Sequence, residues 1–515
     1  MTSPAQAFGF DIQTFAFFTF STLFFFSTLW LYYYHGNSRK QLPPGPPGFP
    51  VVGYLPFLRR NLHHQLTDLA AKYGPIFKLR LGTRLCVVVS SPSTAREILR
   101  EQDATFSNRD PTAAALIATY GGRDIAWAPM GGYWREARKI FVREMLSSGN
   151  IRACREHRRS EVRKAIGDLR SRAGESVDVG ELAYRTEMNV VTRMILGSDR
   201  VGDEFRKIMG KFIASIGEPN VSDFFPWLAR FDLQGKQRKM RDLVKLVGNT
   251  LDPIIEEGLK IVSEKSQVAG KDEFEEKKHF LQILLELKDG EAGKLLDFDA
   301  IKAILQDIVL GGTDTTATMV EWVMAVLLDN PEVMKQVQKE LEDIVGMDSI
   351  VEEFHLPKLT YLDAIVKETL RLYPALPLLV PRCPSQTSQV GGYTIPKGTK
   401  VLINVYAIHR DPKLWDNPSQ FKPERFLNRS LGLLDYTGND PRFLPFGSGR
   451  RICAGIPLAE KMLVYILGSL LHSFYWHLPQ GEKLDLSDAF GLVTKKRTPL
   501  IVVPTLRLCN SDLYC

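Results

Sequence analysis

The sequence predicts a mainly α-helical fold with a minor β-sheet, built as one large domain behind an N-terminal transmembrane anchor. Most of the chain after Pro50 carries apolar residues at helical spacing, whereas short β-like runs come early, at Ile76–Leu81 and Leu85–Val89. Of the 515 residues, 44% are hydrophobic and 24% are charged, which is the composition of an ordinary globular protein. Neither an internal repeat nor a second domain boundary is evident after Pro50.

The predicted anchor occupies residues 1–38. The stretch Ile12–Ser38 contains no Asp, Glu, Lys or Arg. Its centre, Phe15–Tyr34, is long enough to cross the ~30 Å hydrocarbon layer of a bilayer. A cleaved signal peptide would begin with basic residues and end in small ones, and a buried core helix is the other alternative. Residues 39–50 are basic and proline-rich, which predicts a stiff extended hinge before the domain at 51–515.

Charge and cysteine usage favour a cytosolic domain in a reducing compartment. Arg39, Lys40, Arg59 and Arg60 follow the anchor, and the positive-inside rule places that side of the membrane in the cytosol. The net charge of +7 is too small for this length to indicate a nucleic-acid partner. The six cysteines are scattered and form no CxxC pair, so neither a zinc site nor a dense disulfide framework is expected.

One predicted helix carries an unusual interruption. It runs from about Asp299 to Leu328 and contains GGTDTT at Gly311–Thr316. Each glycine costs a buried helix about 1 kcal/mol relative to alanine, so a neighbour should need the space that the glycines leave. Gly311 and Thr315 share a face, and Asp314 lies beside them among apolar residues. The alternative is a locally bent core helix in which the threonine bonds to its own backbone.

A second segment, near the C-terminal end, contains the cysteine with the clearest chemical role. It reads FGSGRRICAG from Phe446 to Gly455 and is followed by an apolar, helix-like stretch through Leu471. The start of a helix stabilises a thiolate, and flanking glycines let a flat macrocycle approach the backbone. These features suit Cys453 as an iron ligand, whereas a structural cysteine in a glycine-rich loop is the alternative.

The cysteine segment resembles the haem-binding loop of cytochrome P450 enzymes, F-x-x-G-x-R-x-C-x-G, and four further motifs resemble the same family in the same order. From the residues alone, several of these motifs could also be exposed helix-surface pairs at i, i+3 or i, i+4. The motifs are WREAR with Trp134 and Arg138, the A/G-G-x-D/E-T pattern at GGTDTT, the E-x-x-R pattern with Glu368 and Arg371, and PERF with Arg425.

The resemblance implies a cytochrome P450 fold that holds haem b, with Cys453 as the axial ligand of the iron. Arginine pairs well with carboxylates, which suits the binding of haem propionates. The residues implied for cofactor binding are Trp134, Arg138, Arg382, Arg451, Phe446 and Gly455. Those implied for a buried structural network that braces the cysteine loop are Glu368, Arg371 and Arg425.

The resemblance also implies a monooxygenase of lipophilic small molecules. Thr315 would hold dioxygen and a water by hydrogen bonds while Asp314 relays protons. The chain has no convincing dinucleotide or flavin motif, so an NADPH–cytochrome P450 reductase is the implied electron donor. With the anchor, these features predict a single-pass protein of the endoplasmic reticulum membrane whose catalytic domain faces the cytosol.

Two segments, Asn220–Gly235 and Val390–Thr399, resemble plant microsomal members of the family, especially those that oxidise sesquiterpenes or flavonoids. By family position, Gly311, Leu378 and Phe490 are expected to contact the substrate. Two alternatives remain open: a haem-thiolate isomerase or dehydratase that does not use oxygen, and a non-catalytic haem-binding membrane protein. The acid–alcohol pair Asp314–Thr315 argues against both.

Overall fold

The computed structural model of the protein describes residues 12–36, 41–197, 202–267, 278–289, 296–428, 432 and 434–514. Helices dominate the fold and strands are few and short, as predicted. The helices are α1 (Ile12–Gly36), α2 (Leu62–Tyr73), α3 (Pro92–Arg96), α4 (Asp103–Phe106), α5 (Ala113–Ala118), α6 (Gly132–Ile140), α7 (Ser148–Ala153), α8 (Arg155–Ser171), α9 (Val179–Leu196), α10 (Asp203–Gly217), α11 (Val221–Phe224), α12 (Lys236–Gln267), α13 (Phe280–Asp289), α14 (Phe298–Asp329), α15 (Pro331–Val345), α16 (Thr360–Leu372), α17 (Val405–Ile408) and α18 (Ile456–Ser473).

The strands form small sheets at the edge of the helical body. The strands are β1 (Ile76–Leu81), β2 (Arg84–Val89), β3 (Val177–Asp178), β4 (Ser388–Val390), β5 (Tyr393–Ile395), β6 (Lys400–Ile403), β7 (Phe474–His477), β8 (Asp488–Ala489), β9 (Lys495–Lys496) and β10 (Ile501–Leu506). β2 pairs antiparallel with β1 and parallel with β6, while β10 lies between β3 and β7. β4 pairs with β5, and β8 pairs with β9.

The long helix α14 forms the centre of the main core. Its span of Phe298–Asp329 confirms the prediction of a long apolar helix, and most of its residues are buried. It packs against α9, α16 and α18. Trp322 of α14 is fully buried and stacks on Tyr373, with ring centroids 4.1 Å apart. Because packing fixes α14 on several sides, its interrupted segment is held in place relative to the cysteine loop.

The proline-rich segment that the structure describes, residues 43–50, lies against the domain. The N–H of Lys78 donates to the carbonyl of Pro44 at 2.8 Å, and that of Thr394 donates to Gln41 at 2.8 Å. A Cβ on Gly45 would stand 2.0 Å from the carbonyl oxygen of Lys78, so this close approach requires glycine. The segment therefore extends the sheet edge at β1.

The N-terminal helix α1 exposes a row of large apolar side chains. Its described side chains, at positions 16–28, are all exposed, including Phe17, Phe20 and Phe24. Within the described part of the chain, no helix has both the length and the apolar character needed to cross a bilayer. The predicted anchor is therefore not confirmed and stays a prediction. Residues 1–11 and 37–40, including the basic pair Arg39 and Lys40, lie outside the described residues.

Candidate functional site

A cavity of about 320 Å³ lies between α14 and the loop that carries Cys453, a volume typical of cofactor and ligand sites. Apolar side chains dominate its lining, and charged groups cluster along one part of it. The lining comes from the segment 109–127, from α14, from 375–380, from 445–459 and from Leu492 and Val493. The two motifs that the sequence singled out thus face one space from different walls.

The cysteine loop is closed by its own backbone. The N–H of Cys453 donates to the carbonyl of Phe446 at 3.0 Å, and Gly449 begins a single 3-10 turn that ends at Arg451. Gly449 has a φ of 69°, and a Cβ there would stand 2.0 Å from the carbonyl oxygen of Leu99. Glycine is therefore required at this position both for its conformation and for the contact.

Cys453 presents its thiol to the cavity just before α18 begins. The side chain is open on the cavity side, while the surrounding protein shields it from bulk solvent. Burial raises the pKa of the thiol, whereas the N–H of Gly455 and the charge of Arg138 favour the thiolate. A soft sulfur ligand that faces an enclosed cavity suits a haem iron, because coordination keeps the sulfur deprotonated.

Trp134 of α6 packs against two arginines that line the cavity, Arg138 and Arg451. The indole Nε1 of Trp134 donates to the carbonyl of Ile125 at 3.1 Å, and the guanidinium of Arg451 lies 4.1 Å from the centre of the indole ring. Arg138, also on α6, donates to the carbonyl of Ile452 at 2.6 Å. The structure thus brings together the residues of the W-x-x-x-R motif and the arginine of the cysteine loop.

Two further arginines complete this cluster. Arg382 donates to the carbonyl of Ser448 at 2.8 Å, but its Nη1 is buried without a partner among the described residues. Arg109, which the sequence reading did not identify, donates to the carbonyls of Ala126 at 3.0 Å and Val380 at 2.7 Å. No local motif marks Arg109, because only the fold brings its loop beside the other three arginines.

The four arginines carry more positive charge than the nearby acidic side chains neutralise. Burial lowers the pKa of Arg382 to about 10. Burial, together with the charges of Arg382 and Arg138, lowers the pKa of Arg451 to about 9. The pKa of Arg109 is also lowered by burial and by the other arginines. Such a group gains stability from bound carboxylates, so these side chains and the free Nη1 of Arg382 fit the two propionates of a haem.

The interrupted segment of α14 forms the opposite wall. A Cβ on Gly311 would meet nothing within 4 Å, so this glycine leaves bare backbone facing the cavity. Gly312 instead packs against α9, where a Cβ would stand 3.1 Å from Val191. The hydroxyl of Thr315 donates to the carbonyl of Gly311 at 2.7 Å, which is the bond expected of a threonine in a locally bent core helix. Thr315 also lines the cavity. The residue therefore bonds to its own helix and faces the cavity at the same time.

Asp314 points away from the cavity. It is buried, and one carboxylate oxygen forms an ion pair with Lys495 of β9. Its other oxygen, Oδ2, has no partner among the described residues. The side chain of Lys495 is about half exposed, at 49%. The carboxylate thus lies between the cavity-lining threonine and the protein surface.

Glu368, Arg371 and Arg425 form one buried network of ion pairs. Arg371 binds the carboxylate of Glu368 through two hydrogen bonds of 2.7 and 2.8 Å, and Arg425 approaches the same carboxylate at 3.3 Å. Arg371 also donates to the carbonyl of His409 at 2.7 Å. The Nε2 of His409 accepts the N–H of Leu444 at 2.9 Å, so the network reaches the chain just before the cysteine loop.

The structure corrects two of the three expected substrate contacts. Gly311 lines the cavity, but Leu378 and Phe490 pack in a separate core between α2 and the first sheet. Their neighbours Leu379 and Leu492 line the cavity instead. Leu379 has a φ of 50°, which turns the chain so that adjacent side chains point to different sides. The sequence identified the segments that reach the cavity, but it did not identify which of their side chains point into it.

Several polar residues of the cavity lining were missed, and three of them, Asp307, Asp124 and Gln306, lie close to the interrupted segment or to the arginine cluster. Asp307 lies four residues before Gly311 on the same face of α14 and accepts the N–H groups of Ile125 and Ala126 at 3.0 and 3.1 Å. Burial raises the pKa of Asp307 to about 6, although the two hydrogen bonds act to lower it. Asp124 is buried nearby, and burial together with Asp307 raises its pKa. The third residue is Gln306, whose Oε1 has no partner among the described residues. The four-residue spacing could have identified Asp307.

The sequence profile of the family described as Cytochrome P450 matches residues 43–503. The chain belongs to the cytochrome P450 family. The resemblance inferred from the motifs is thereby confirmed. The fold agrees, since a zebra fish cytochrome P450 solved with abiraterone has a TM-score of 0.72 and 28% identity. That match covers 86% of this chain and 99% of the fish chain.

Several plant cytochromes P450 are similar over nearly their full length. Cytochrome P450 76C2 of Arabidopsis thaliana is 38% identical, covering 91% of this chain and 93% of that protein. A flavonoid 3'-monooxygenase of Crocosmia x crocosmiiflora is 38% identical, covering 96% and 99%. Geraniol 8-hydroxylase of Catharanthus roseus is 36% identical, covering 94% and 98%. The protein is accordingly a haem-dependent monooxygenase of the cytochrome P450 family.

Proposed function

We propose that the protein hydroxylates a terpenoid or a flavonoid, with Cys453 as the axial ligand of haem b. The observation that carries this proposal is the placement of Cys453 in a cavity that has an arginine cluster on one side and Thr315 on another. The cluster consists of Arg109, Arg138, Arg382 and Arg451, and it supplies the positive charge that two propionates require. Phe446 and Gly455 line the same cavity beside the thiol.

When bound, a haem whose iron is held by the thiolate of Cys453 would supply the chemistry that activates dioxygen and favours O–O cleavage. The chain's own residues position the reactants and move protons. Rotation of the Thr315 hydroxyl away from the carbonyl of Gly311 would let it donate into the cavity, where the bare backbone of Gly311 leaves room. Asp314 would carry protons inward from the surface, where Lys495 holds its carboxylate beside solvent.

The substrate class follows from the lining and from the named relatives. The cavity wall is mainly apolar, with side chains such as Phe212, Leu376 and Leu492, which favours a lipophilic molecule. Among the similar proteins, geraniol 8-hydroxylase is named for a terpenoid alcohol and flavonoid 3'-monooxygenase for a phenolic compound. The free acceptor Oε1 of Gln306 would bind a hydroxyl group of such a substrate.

The electron donor in this proposal is an NADPH–cytochrome P450 reductase on the same membrane. α6 exposes the basic residues Arg135 and Lys139 on its outer side, while Trp134 and Arg138 of the same helix lie within or beside the cavity. A negatively charged surface of the reductase would dock there and place its flavin near the haem edge. No nucleic acid enters this proposal.

We further propose that residues 1–38 anchor the protein in the endoplasmic reticulum membrane by a single pass, with the hinge at 39–50 and the domain at 51–515 on the cytosolic side. Exposed phenylalanines along α1 support a lipid environment for this helix, because water would not stabilise them. The test is expression of the full chain and of a variant lacking residues 1–40 in yeast. Only the full chain should remain in microsomes after an alkaline carbonate wash, and retention of the shortened variant would contradict the anchor.

The decisive test of the iron ligand is the spectrum of the reduced protein under carbon monoxide. The red-shifted band of a thiolate-ligated haem should appear in the wild-type protein and in Cys509→Ser, which removes an exposed thiol elsewhere. It should be lost in Cys453→Ala. A wild-type spectrum without that band, from folded and haem-loaded protein, would contradict the proposed ligand.

Turnover assays test the reaction. With a plant reductase, NADPH and oxygen, members of a terpenoid and flavonoid panel should gain one hydroxyl group. Rapid conversion of hydroperoxides without reductase would instead identify an isomerase or dehydratase. Absence of single-turnover oxygen consumption would identify a non-catalytic haem protein.

A further inference from the structure

A group of three metal-binding side chains lies outside the haem cavity, at the start of α2. His63 and His64 both direct Nε2 toward the same oxygen of Asp488, Oδ2, at 2.7 and 3.1 Å. The two imidazole rings lie 4.2 Å apart, and the three ligand atoms lie within 4.8 Å of one another. Ligands of a tetrahedral zinc ion stand at about 2.0–2.2 Å from it, so small shifts would bring these three atoms around one ion.

A second layer of contacts holds this group in place. The Nδ2 of Asn61 donates to the other carboxylate oxygen of Asp488, Oδ1, at 2.8 Å. This bond fixes the carboxylate and leaves Oδ2 directed at the histidines, which is the usual way outer residues orient a metal ligand. The Nε2–H of His63 donates to this oxygen, so a bound ion would replace that proton, and the Nδ1 of His63 is buried without a partner among the described residues.

The surroundings of the three side chains admit a cation. The carboxylate of Asp488 supplies the negative charge that a bound cation needs, while Arg410 opposes it. The side chain of His64 is 43% exposed, which gives an ion a path from solvent.

The cluster connects α2 to a segment that reaches the haem cavity. Asp488 belongs to β8, and the chain continues through Phe490 to Leu492 and Val493, which line the cavity. The ring of Phe490 stacks on that of His63, with centroids 5.4 Å apart. Any ligand that joins His63, His64 and Asp488 therefore also fixes the position of this cavity wall.

We propose that His63, His64 and Asp488 form a binding site for a divalent transition metal of the zinc class. Two imidazoles and one carboxylate supply three ligands, and the exposed side of His64 leaves the fourth position open to water. The bound ion joins α2 to the segment 488–493 and stabilises one wall of the substrate cavity. The site is separate from the haem ligand and from the arginine cluster.

Equilibrium dialysis of the untagged holoenzyme against Zn²⁺ tests this site. A thiol is a zinc ligand, so all variants carry Cys509→Ser, which removes the exposed thiol of Cys509. One saturable site per chain is expected in this background. His64→Gln should weaken binding at least about 10-fold, and Asn61→Ala, which keeps all three ligands, should weaken it by about 10-fold. The matched control is His477→Gln, which removes an exposed imidazole of β7 and should bind zinc as the parent does.

A second readout reports on the structural consequence. Zinc should slow amide hydrogen exchange across residues 488–493 in the parent and in His477→Gln, but not in His64→Gln. The reduced carbon monoxide spectrum of each variant confirms that its haem site is intact. Two results would overturn the proposal: no saturable site in the parent, or binding that both His64→Gln and Asn61→Ala leave unchanged.

Discussion

The carboxylate of Asp314 pairs with the ammonium group of Lys495, and this pair turns the acid away from the cavity that its neighbour Thr315 lines. The acid and the alcohol therefore face different surroundings although they are adjacent in sequence. The threonine meets the enclosed cavity, and the carboxylate meets a half-exposed lysine. This division suits a proton path that begins at the surface and ends in the cavity.

Asp314→Asn should lower kcat by about 100-fold or more, because the amide cannot carry a proton and general-acid groups typically contribute 10²–10⁴-fold. Product formation should fall more than NADPH consumption, since electrons would be lost to unproductive oxygen reduction. Lys495→Met keeps the carboxylate and should have a smaller effect. Measurement of both rates with the reductase checks this, and an unchanged ratio of product to NADPH in Asp314→Asn would count against the relay.

Glu368→Gln should destabilise the protein by about 3–5 kcal/mol, because it leaves the buried guanidinium groups of Arg371 and Arg425 without their shared carboxylate. The carbon monoxide spectrum should also lose its thiolate band early during unfolding, since the network reaches the cysteine loop through His409. The matched control is Glu332→Gln, which breaks an exposed pair with Lys335. Its denaturation midpoint should equal that of the parent, and an equal midpoint in Glu368→Gln would contradict the bracing role.

Local sequence patterns predicted α14 well and singled out the cysteine that faces the cavity, because their signals lie within a few residues. The apolar run around Gly311 predicted α14 with ends accurate to a residue, and Pro331 marks the start of the next helix. The close contact of Gly449 with Leu99 shows why this position of the cysteine loop requires glycine. In these cases the physical requirement and the residues that meet it are adjacent in the chain.

Contacts between distant segments were not predictable in the same way. Arg109 joins the arginine cluster only because its loop folds over the cavity, and Leu378 faces a separate core because Leu379 adopts a positive φ. Neither the position of the Arg109 loop nor the positive φ of Leu379 can be predicted from a single sequence. Asp307 is an intermediate case, since its spacing from Gly311 indicates a shared face but not the two backbone N–H groups that it accepts.

Gln306→Leu should weaken the binding of substrates that carry a hydroxyl group by about 5- to 150-fold, which corresponds to the loss of about 1–3 kcal/mol from one buried hydrogen bond. The reason is that the free Oε1 of Gln306 is a buried acceptor in a mainly apolar wall. Binding of hydrocarbons of similar size should be unchanged or tighter. Substrate-induced changes in the haem spectrum measure both, and equal losses for the two substrate classes would indicate a general disturbance of the cavity.

Asp307→Asn should stabilise the protein at neutral pH and change its pH dependence in a defined direction. Burial raises the pKa of the native carboxyl to about 6, above its ordinary value. The native state therefore binds the proton more tightly than the unfolded chain, so stability is lost as the pH rises from about 4 to about 6 and stays lower above that range. The amide of asparagine still accepts the N–H groups of Ile125 and Ala126 but carries no charge.

The stability difference between Asp307→Asn and the parent should accordingly grow between pH 4 and pH 6 and level off at higher pH. Unfolding temperatures of the two holoproteins across this range measure it. Asp307→Ala separates charge from hydrogen bonding, because it removes both and leaves two buried N–H groups without an acceptor. It should be less stable than Asp307→Asn at every pH by about 1–3 kcal/mol for each unpaired group. A difference that does not vary with pH would show that the carboxyl keeps its ordinary pKa.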